Sequence, residues 1–171
     1  VIYDTVGRES IKYLPFVSET NGRFKEKVID VNGNYVNSAT NFYSNPNDQI
    51  ADDPKPFSRS LFEQSPLNRV IEQGSAGTAW QPGTGNTIQK RYELNSGSEV
   101  LAFNYDPLTG SLTLSSKITE RYFPAGQLYA NKTIDEHQND VVEYISKEGQ
   151  TDCRKVKASG GTYAETYYLY D

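Results

Sequence analysis

The chain has 171 residues, with 17 Lys or Arg against 22 Asp or Glu, for a formal net charge of −5. That length suffices for one folded domain, which at this size buries about 70% of the surface of its unfolded chain. The acidic balance lacks the basic footprint of a nucleic-acid binder, and no apolar run approaches the roughly 18 residues needed to cross a bilayer. Cys153 is the single cysteine, so no internal disulfide forms, and no charged start leads into an apolar stretch as in a secretory signal. Methionine is absent throughout and Val1 stands first, so the expectation is a piece cut from a longer protein, with a processed mature protein as the alternative.

In chain order, Ile2 to Phe16 reads as a hairpin around Asp4 to Gly7. Tyr35, Val36, Ala39, Phe42 and Tyr43 then share one face at helical spacing, which predicts a short helix. Asn45 to Pro56 is polar and broken by proline, hence a surface loop. Ser65 to Gly83 is interrupted by Pro66, Gly74, Gly77, Pro82 and Gly83, and reads as irregular chain packed over a sheet with Trp80 as its anchor. From Thr87 onward short strand-like runs alternate with turn clusters. The predicted strands are Thr87 to Leu94, Glu99 to Tyr105, Ser111 to Phe123, Leu128 to Ile134, Val141 to Ile145, Gln150 to Ala158 and Tyr163 to Tyr170. Asp106-Pro107-Leu108-Thr109-Gly110 carries proline where a type I turn favours it.

With 13 tyrosines and abundant Thr, Val and Asn, the composition favours strands and turns over helices. The expected fold is mostly β: an antiparallel meander of hairpins forming an open sheet, with one short helix and long irregular loops. Residues 1–171 are read as one β-rich domain or fragment, irregular over 1–86 and a regular meander over 87–171. Strand-rich sequence without intervening helices argues against a doubly wound fold.

The sharpest local signal is Tyr3-Asp4-Thr5-Val6-Gly7-Arg8. The tyrosine ends a strand with its ring on a buried or stacking face. Asp4 opens the turn because its carboxylate accepts backbone N–H groups just ahead. Gly7 tolerates the positive φ that returns the chain, and Arg8 starts the next strand where it can pair with a carboxylate across it. Weaker copies stand at Tyr105-Asp106 with Gly110, at Tyr144 with Gly149-Gln150, and at Tyr170-Asp171. After Ile134-Asp135, Gln138 takes the place of the glycine and is followed by Asn139, the next-best residue for left-handed backbone. Self-similarity of this kind is the mark of a repeat architecture.

On these residues the chain resembles the RHS/YD-repeat family, and in particular the domain N-terminal to the repeats in RHS repeat-associated proteins of the Bacteroidetes kind. The stretches that carry the resemblance are Tyr3-Asp4-x-x-Gly7-Arg8-Glu9-Ser10-x-Lys12-Tyr13-Leu14-Pro15, Phe42-Tyr43, Ser65-Pro66-Leu67-Asn68-Arg69-Val70-x-Glu72-Gln73-Gly74, and Ala79-Trp80-Gln81. Tyr122-Phe123-Pro124-Ala125-Gly126-x-Leu128-Tyr129, Asp135-Glu136 and Glu143-Tyr144 continue them. Two positions depart from the pattern: Gln150 stands where arginine follows Gly149, and Gln138 replaces a turn glycine. The resemblance implies a very large, exported parent, secreted or at the cell surface, whose YD hairpins wind into a shell that in several relatives encloses a variable toxin. It further implies that this chain is a non-catalytic structural module and that its partners are the adjacent YD-repeat segments of the same parent.

The residues offer little chemistry to set against that expectation. His137, the single histidine, lies in the polar turn Asp135-Glu136-His137-Gln138-Asn139, and nothing in the sequence places Cys153 or a particular serine beside it. Two Cys or His residues cannot make a structural zinc site, which takes four. Asp30-Val31-Asn32-Gly33-Asn34 spaces oxygen ligands as a calcium loop does, but Tyr35 occupies the glycine position and Asn41 that of the bidentate glutamate. Asp48, Asp52 and Asp53 form a second acidic loop. Calcium is thus the metal most nearly matched, and no cofactor is expected. Gly74 to Gly85 lacks the lysine and following helix of a phosphate loop. The alternative function is a β module that binds a carbohydrate or a surface partner through exposed aromatics and unpaired sheet edges.

Overall fold

Short runs of alternating side chains separated by turn clusters give a chain of hairpins. The computed structural model describes residues 1–17, 25, 27–30, 38–50 and 52–170. The protein is mostly β, and its strands form an antiparallel sheet. The chain divides into two compact units, Val1–Gln89 and Lys90–Asp171.

In the first unit β1 (Ile2–Tyr3) and β2 (Glu9–Tyr13) make the expected hairpin, with Tyr3 opposite Glu9 and Ile2 opposite Ile11. Ser10 is therefore an extra residue on β2, a bulge. The predicted helix is one turn, α1 (Ala39–Phe42), capped by Ser38, whose Oγ accepts the Asn41 N–H at 3.1 Å. Tyr35 and Val36 lie outside the described residues. The polar stretch after α1 is loop, as expected, and leads into β3 (Phe57–Phe62), which pairs with β2 on one side and with β4 (Val70–Gly74) on the other.

β4 corrects the reading of 65–83 as wholly irregular. Its sequence, Val-Ile-Glu-Gln-Gly, hides the strand because an inward position is charged. Glu72 is satisfied there, accepting from Thr87 Oγ1 at 2.6 Å and from Gly83 N at 2.9 Å. The anchor of the following loop is also not the expected one. Trp80 is 41% exposed, whereas Gln81 is 5% exposed and its Nε2 donates to the carbonyls of Phe57 and Ser75, each at 2.9 Å, and of Gly77 at 3.3 Å. Gly74 makes this approach possible, since a Cβ there would collide with the Trp80 carbonyl and the Pro82 ring.

β5 (Ile88–Leu94) carries the chain into the second unit, where β8 (Tyr129–Ile134), β9 (Asp140–Ile145), β10 (Thr151–Lys157) and β11 (Tyr163–Tyr167) form its sheet; β6 (Phe103–Asp106) and β7 (Ser111–Leu114) pair apart from it. Hydrogen-bonded neighbours run β1-β2-β3-β4 in the first unit and β5-β8-β9-β10-β11 in the second. The strand predicted over 111–123 stops at Leu114. Ser115 closes it: its Oγ accepts the Lys117 N–H at 3.2 Å, its carbonyl accepts Arg121 Nε at 2.9 Å, and a 3-10 turn follows at Ile118–Glu120. The strand predicted from Glu99 likewise begins only at Phe103.

The core of the second unit follows from register. Ala130, Tyr144, Cys153 and Tyr167 stand in one row across β8 to β11, and Lys132, Val142, Lys155 and Glu165 in the next. Ala130, Val142, Tyr144 and Cys153 are buried with Val100 and Leu128, and Phe123 and Tyr167 pack against them. At roughly 25 cal/mol per Å² of apolar surface, a cluster of this kind is what holds the meander together.

Removing the Gln81 amide leaves three buried or half-buried carbonyls without their donor. Gln81→Ala is expected to cost about 2 kcal/mol in urea unfolding followed by Trp80 fluorescence.

Candidate functional site

The Tyr-Asp turn has a defined hydrogen-bond geometry. In the first copy Asp4 N donates to the Arg8 carbonyl at 2.9 Å and Gly7 N to the Asp4 carbonyl at 3.1 Å, with Gly7 at φ +84°. Asp4 Oδ1 accepts Val6 N at 3.0 Å and Arg8 N at 2.9 Å, as its role in the sequence requires. Arg8 pairs with Asp4 of its own turn, Nε to Oδ2 at 2.6 Å, rather than with a carboxylate across the strand.

The same backbone pattern recurs at 135–139, 146–150 and 158–162. At 135–139 the left-handed residue is Gln138, φ +65°, not Asn139. Asn139 stands in the arginine position and turns back on the aspartate, its Nδ2 donating to Asp135 Oδ2 at 2.9 Å. At 146–150 Ser146 replaces the aspartate and Gly149 takes φ +88°. At 158–162 Ala158 opens the turn, a copy the sequence conceals because both signature side chains are missing. Asp106 and Gly110 make a longer turn, with Asp106 Oδ1 accepting Leu108 N at 2.9 Å and Asp106 opposite Ser111. Among the described tyrosines only Tyr144 is buried; Tyr3, Tyr105 and Tyr170 are about half exposed or more, and Asp171 lies outside the described residues.

Ser65 to Arg69 is a further variant. Asn68, φ +54°, donates its N–H to the Ser65 carbonyl, and Glu63 supplies the carboxylate from two residues earlier. Arg69 grips it with Nε at 2.9 Å and Nη2 at 2.8 Å. Arg8 joins the two turns: its Nη1 donates to the Glu63 carbonyl at 3.1 Å and to Asn68 Oδ1 at 3.0 Å, and its guanidinium lies 4.6 Å from the centre of the Phe62 ring. The result is a network of two arginines and two carboxylates on one end of the β1 to β4 meander. The Arg69 hydrogen bonds, with help from Ser65, hold the Glu63 carboxyl down to about 2.

A bulge follows three of these turns at the same offset. Ser10, Ile71 and Asp152 each stand two residues beyond the arginine position, occupied by Arg8, Arg69 and Gln150, and each is skipped by the pairing. The repeated unit is therefore a turn plus a bulge, at 4–10, 65–71 and 146–152.

Elsewhere in the second unit a cavity of about 320 Å³ is lined by Glu93, Glu99, Lys132, Lys155, Tyr144 and Tyr163 among others. Its lysines are committed: Lys132 pairs with Asp140 at 2.6 Å, and Lys155 with Glu165 at 2.7 Å and with the Glu99 carbonyl at 2.6 Å. Burial, then the Glu99 charge, pushes the Tyr144 hydroxyl up to about 12. His137 is exposed in its turn and Cys153 is fully buried. Among the described residues no three of His, Cys, Asp and Glu gather as a metal-binding group. Asp53 spends its carboxylate on Thr78 N, Thr78 Oγ1 and Lys55 N, and Asp48 accepts Ile50 N, while positions 31–34 of the calcium-like stretch lie outside the described residues. No helix among the described residues is long and apolar enough to cross a membrane.

Two outcomes are expected from the turns. Because the Glu63 carboxyl sits at about 2 in the fold against an ordinary 4.5, its contribution is complete above about pH 4.5 and is lost as the pH falls toward 2. Urea midpoints recorded across that window will fall in the wild type, and Glu63→Gln will lower stability at neutral pH while flattening the acid limb. Gln138→Gly will raise stability by up to about 1 kcal/mol, since glycine occupies the left-handed region without the Cβ penalty.

Residues 1–94, the part that contains β1 to β5 and the arginine network, match the family model described as Domain of unknown function (DUF6443). No curated protein and no solved structure matches the chain. With more than half of its length covered, the chain belongs to the DUF6443 family.

Proposed function

We propose that the chain is a non-catalytic structural module of a large RHS/YD-repeat protein, packing against neighbouring YD-repeat segments of the same parent. The observation that supports this most is the turn-plus-bulge unit at 4–10, 65–71 and 146–152, a structural repeat deeper than the sequence repeat that announces it. Each such unit reverses the chain and hands a strand to the next, so the module adds hairpins in series. Among the described strands β11 has β10 alone as neighbour, and its other side offers backbone groups to an incoming strand. The parent on this reading is exported, secreted or held at the cell surface, and shares in forming a shell such as encloses a toxin; neither cofactor nor turnover is assigned to the module.

A second reading, a β module that binds a glycan or a surface partner, is favoured by the half-exposed rings of Tyr3, Tyr105 and Tyr170.

Cross-linking mass spectrometry on the full-length product tests the first reading. Lys157, exposed at the end of β10 beside the edge strand, is expected to link to lysines of following Tyr-Asp-x-x-Gly-Arg units. A product that lacks such units, or turnover on a panel of ester, peptide and glycoside substrates, overturns it. Retention on a glycan array by a product without repeats favours the second.

A further inference from the structure

The third turn-plus-bulge unit differs from the first two in one respect that has chemical consequences. Arg8 and Arg69 stand at the position before their bulges, each engaged with a carboxylate, and Arg8 also lies over an aromatic ring. In the third unit that position is Gln150. Two residues on, the bulge re-aims Asp152 away from the regular alternation of β10.

Gln150 and Asp152 open onto a cleft of about 250 Å³ whose other walls include Phe103 and Tyr105 from β6 and Tyr168 and Tyr170 beyond β11. Tyr168 N donates to the Asp152 carbonyl at 2.9 Å and Tyr170 OH to the Thr151 carbonyl at 2.9 Å, so the aromatic wall is fixed to the same strand. Asp152 Oδ2 is shielded from solvent and has no hydrogen-bond partner among the described residues. Among the described residues no lysine or arginine lines the cleft. A shielded carboxylate without a counter-charge is costly, and burial, then the Glu148 charge, pushes its carboxyl upward.

We infer that this cleft binds a guanidinium group, seated between tyrosine faces with an N–H on the open side of the Asp152 carboxylate. Charge decides the class of ligand. A neutral saccharide could stack on the rings and donate hydroxyls but would leave the carboxylate charge uncompensated, whereas a guanidinium answers both the rings and the charge. Size agrees: the cleft is smaller than the roughly 300–1,000 Å³ of ordinary ligand pockets and suits a single side chain. The arrangement of Arg8, Asp4 and Phe62 is the same chemistry with the cation supplied in cis. The inference stands apart from the scaffold reading, because it concerns a guanidinium from any source.

The test uses the whole chain with ethylguanidinium, N-acetyl-arginine methylamide, N-acetyl-lysine methylamide and cellobiose, followed by NMR of the backbone amides. Both guanidinium probes are expected to shift the amides of 150–152 and 168–170, and the lysine probe to bind at least about tenfold more weakly. Tighter binding of the arginine derivative than of ethylguanidinium identifies a polypeptide side chain as the source; equal binding identifies a free guanidine. Asp152→Asn is expected to weaken binding about tenfold or more, as removal of a charge partner does. Gln150→Arg, which supplies the missing cation in cis, is expected to block the probes while keeping or raising the urea midpoint, so a folded variant answers the question even if Asp152→Asn unfolds. Shifts with cellobiose alone, equal response to lysine and arginine probes, or unaltered binding by Gln150→Arg would each overturn the inference.

Discussion

The Tyr-Asp turn must place one residue in the left-handed region to return the chain into the next strand, and it must find partners for the N–H groups that the tight return leaves pointing inward. The Asp4 carboxylate does the second task and Gly7 the first. Register depends on both, because a side-chain period of two means that a slip of one residue turns every inward group outward. In β9 such a slip would bring Val141 and Glu143 to the face now held by Val142 and Tyr144. The turns thus decide which residues form the core, and the core in turn holds the turns closed. Where the aspartate is lost, at Ser146 and Ala158, glycine keeps the backbone pattern. Where the glycine is lost, at Gln138, the aspartate keeps it and Asn139 adds a side-chain bond. Where both are replaced, at Ser65 and Asn68, Glu63 supplies the carboxylate from two residues earlier and Asn68 takes the left-handed backbone.

The interior that these turns produce is small and partly charged. Lys132 and Lys155 stand in a row with Val142, and each reaches a carboxylate, so that methylene stems pack while the charged ends are paired. Such pairs add little net stability over an apolar filling, but loss of one partner leaves a buried charge and is severe. Asp140, 5% exposed, shows the balance: burial alone would raise its carboxyl, and the Lys132 and Tyr163 hydrogen bonds outweigh it and keep it low. Tyrosine serves the same economy, with an apolar ring for the core and a hydroxyl that finds a carboxylate or carbonyl at the edge.

Much of this was legible in the residues. The hairpin at Asp4 to Gly7 and the strands near Ile88, Tyr129, Val141, Thr151 and Tyr163 follow from period-two alternation and turn chemistry. Four things were not. β4 was hidden because Glu72 points inward, and only the fold shows that Thr87 and Gly83 satisfy it. Gln81 rather than Trp80 holds the loop, since the ranking by apolar size ignores what an amide with three carbonyl partners can do. The bulges at Ser10, Ile71 and Asp152 left no local mark, because a bulge belongs to a pair of strands and the partner lies elsewhere in the sequence. The role of Arg8 is hidden for a related reason: its carboxylate is four residues back, and its other partners, Glu63 and Asn68, are more than fifty residues ahead.

β6 and β7 form a ribbon of two strands apart from the main sheet, and a two-stranded ribbon is marginal alone. Phe103 anchors it edge-on against Tyr167 at 5.2 Å, while Leu112 and Leu114 stay exposed and Leu108 at its tip is 95% exposed. Its amides will therefore be among the first of the second unit to exchange with solvent, through openings that leave the core strands intact. Phe103 and Tyr105 are also one wall of the tyrosine cleft, so the cleft is closed on that side by a ribbon that no strand pairing ties to β10.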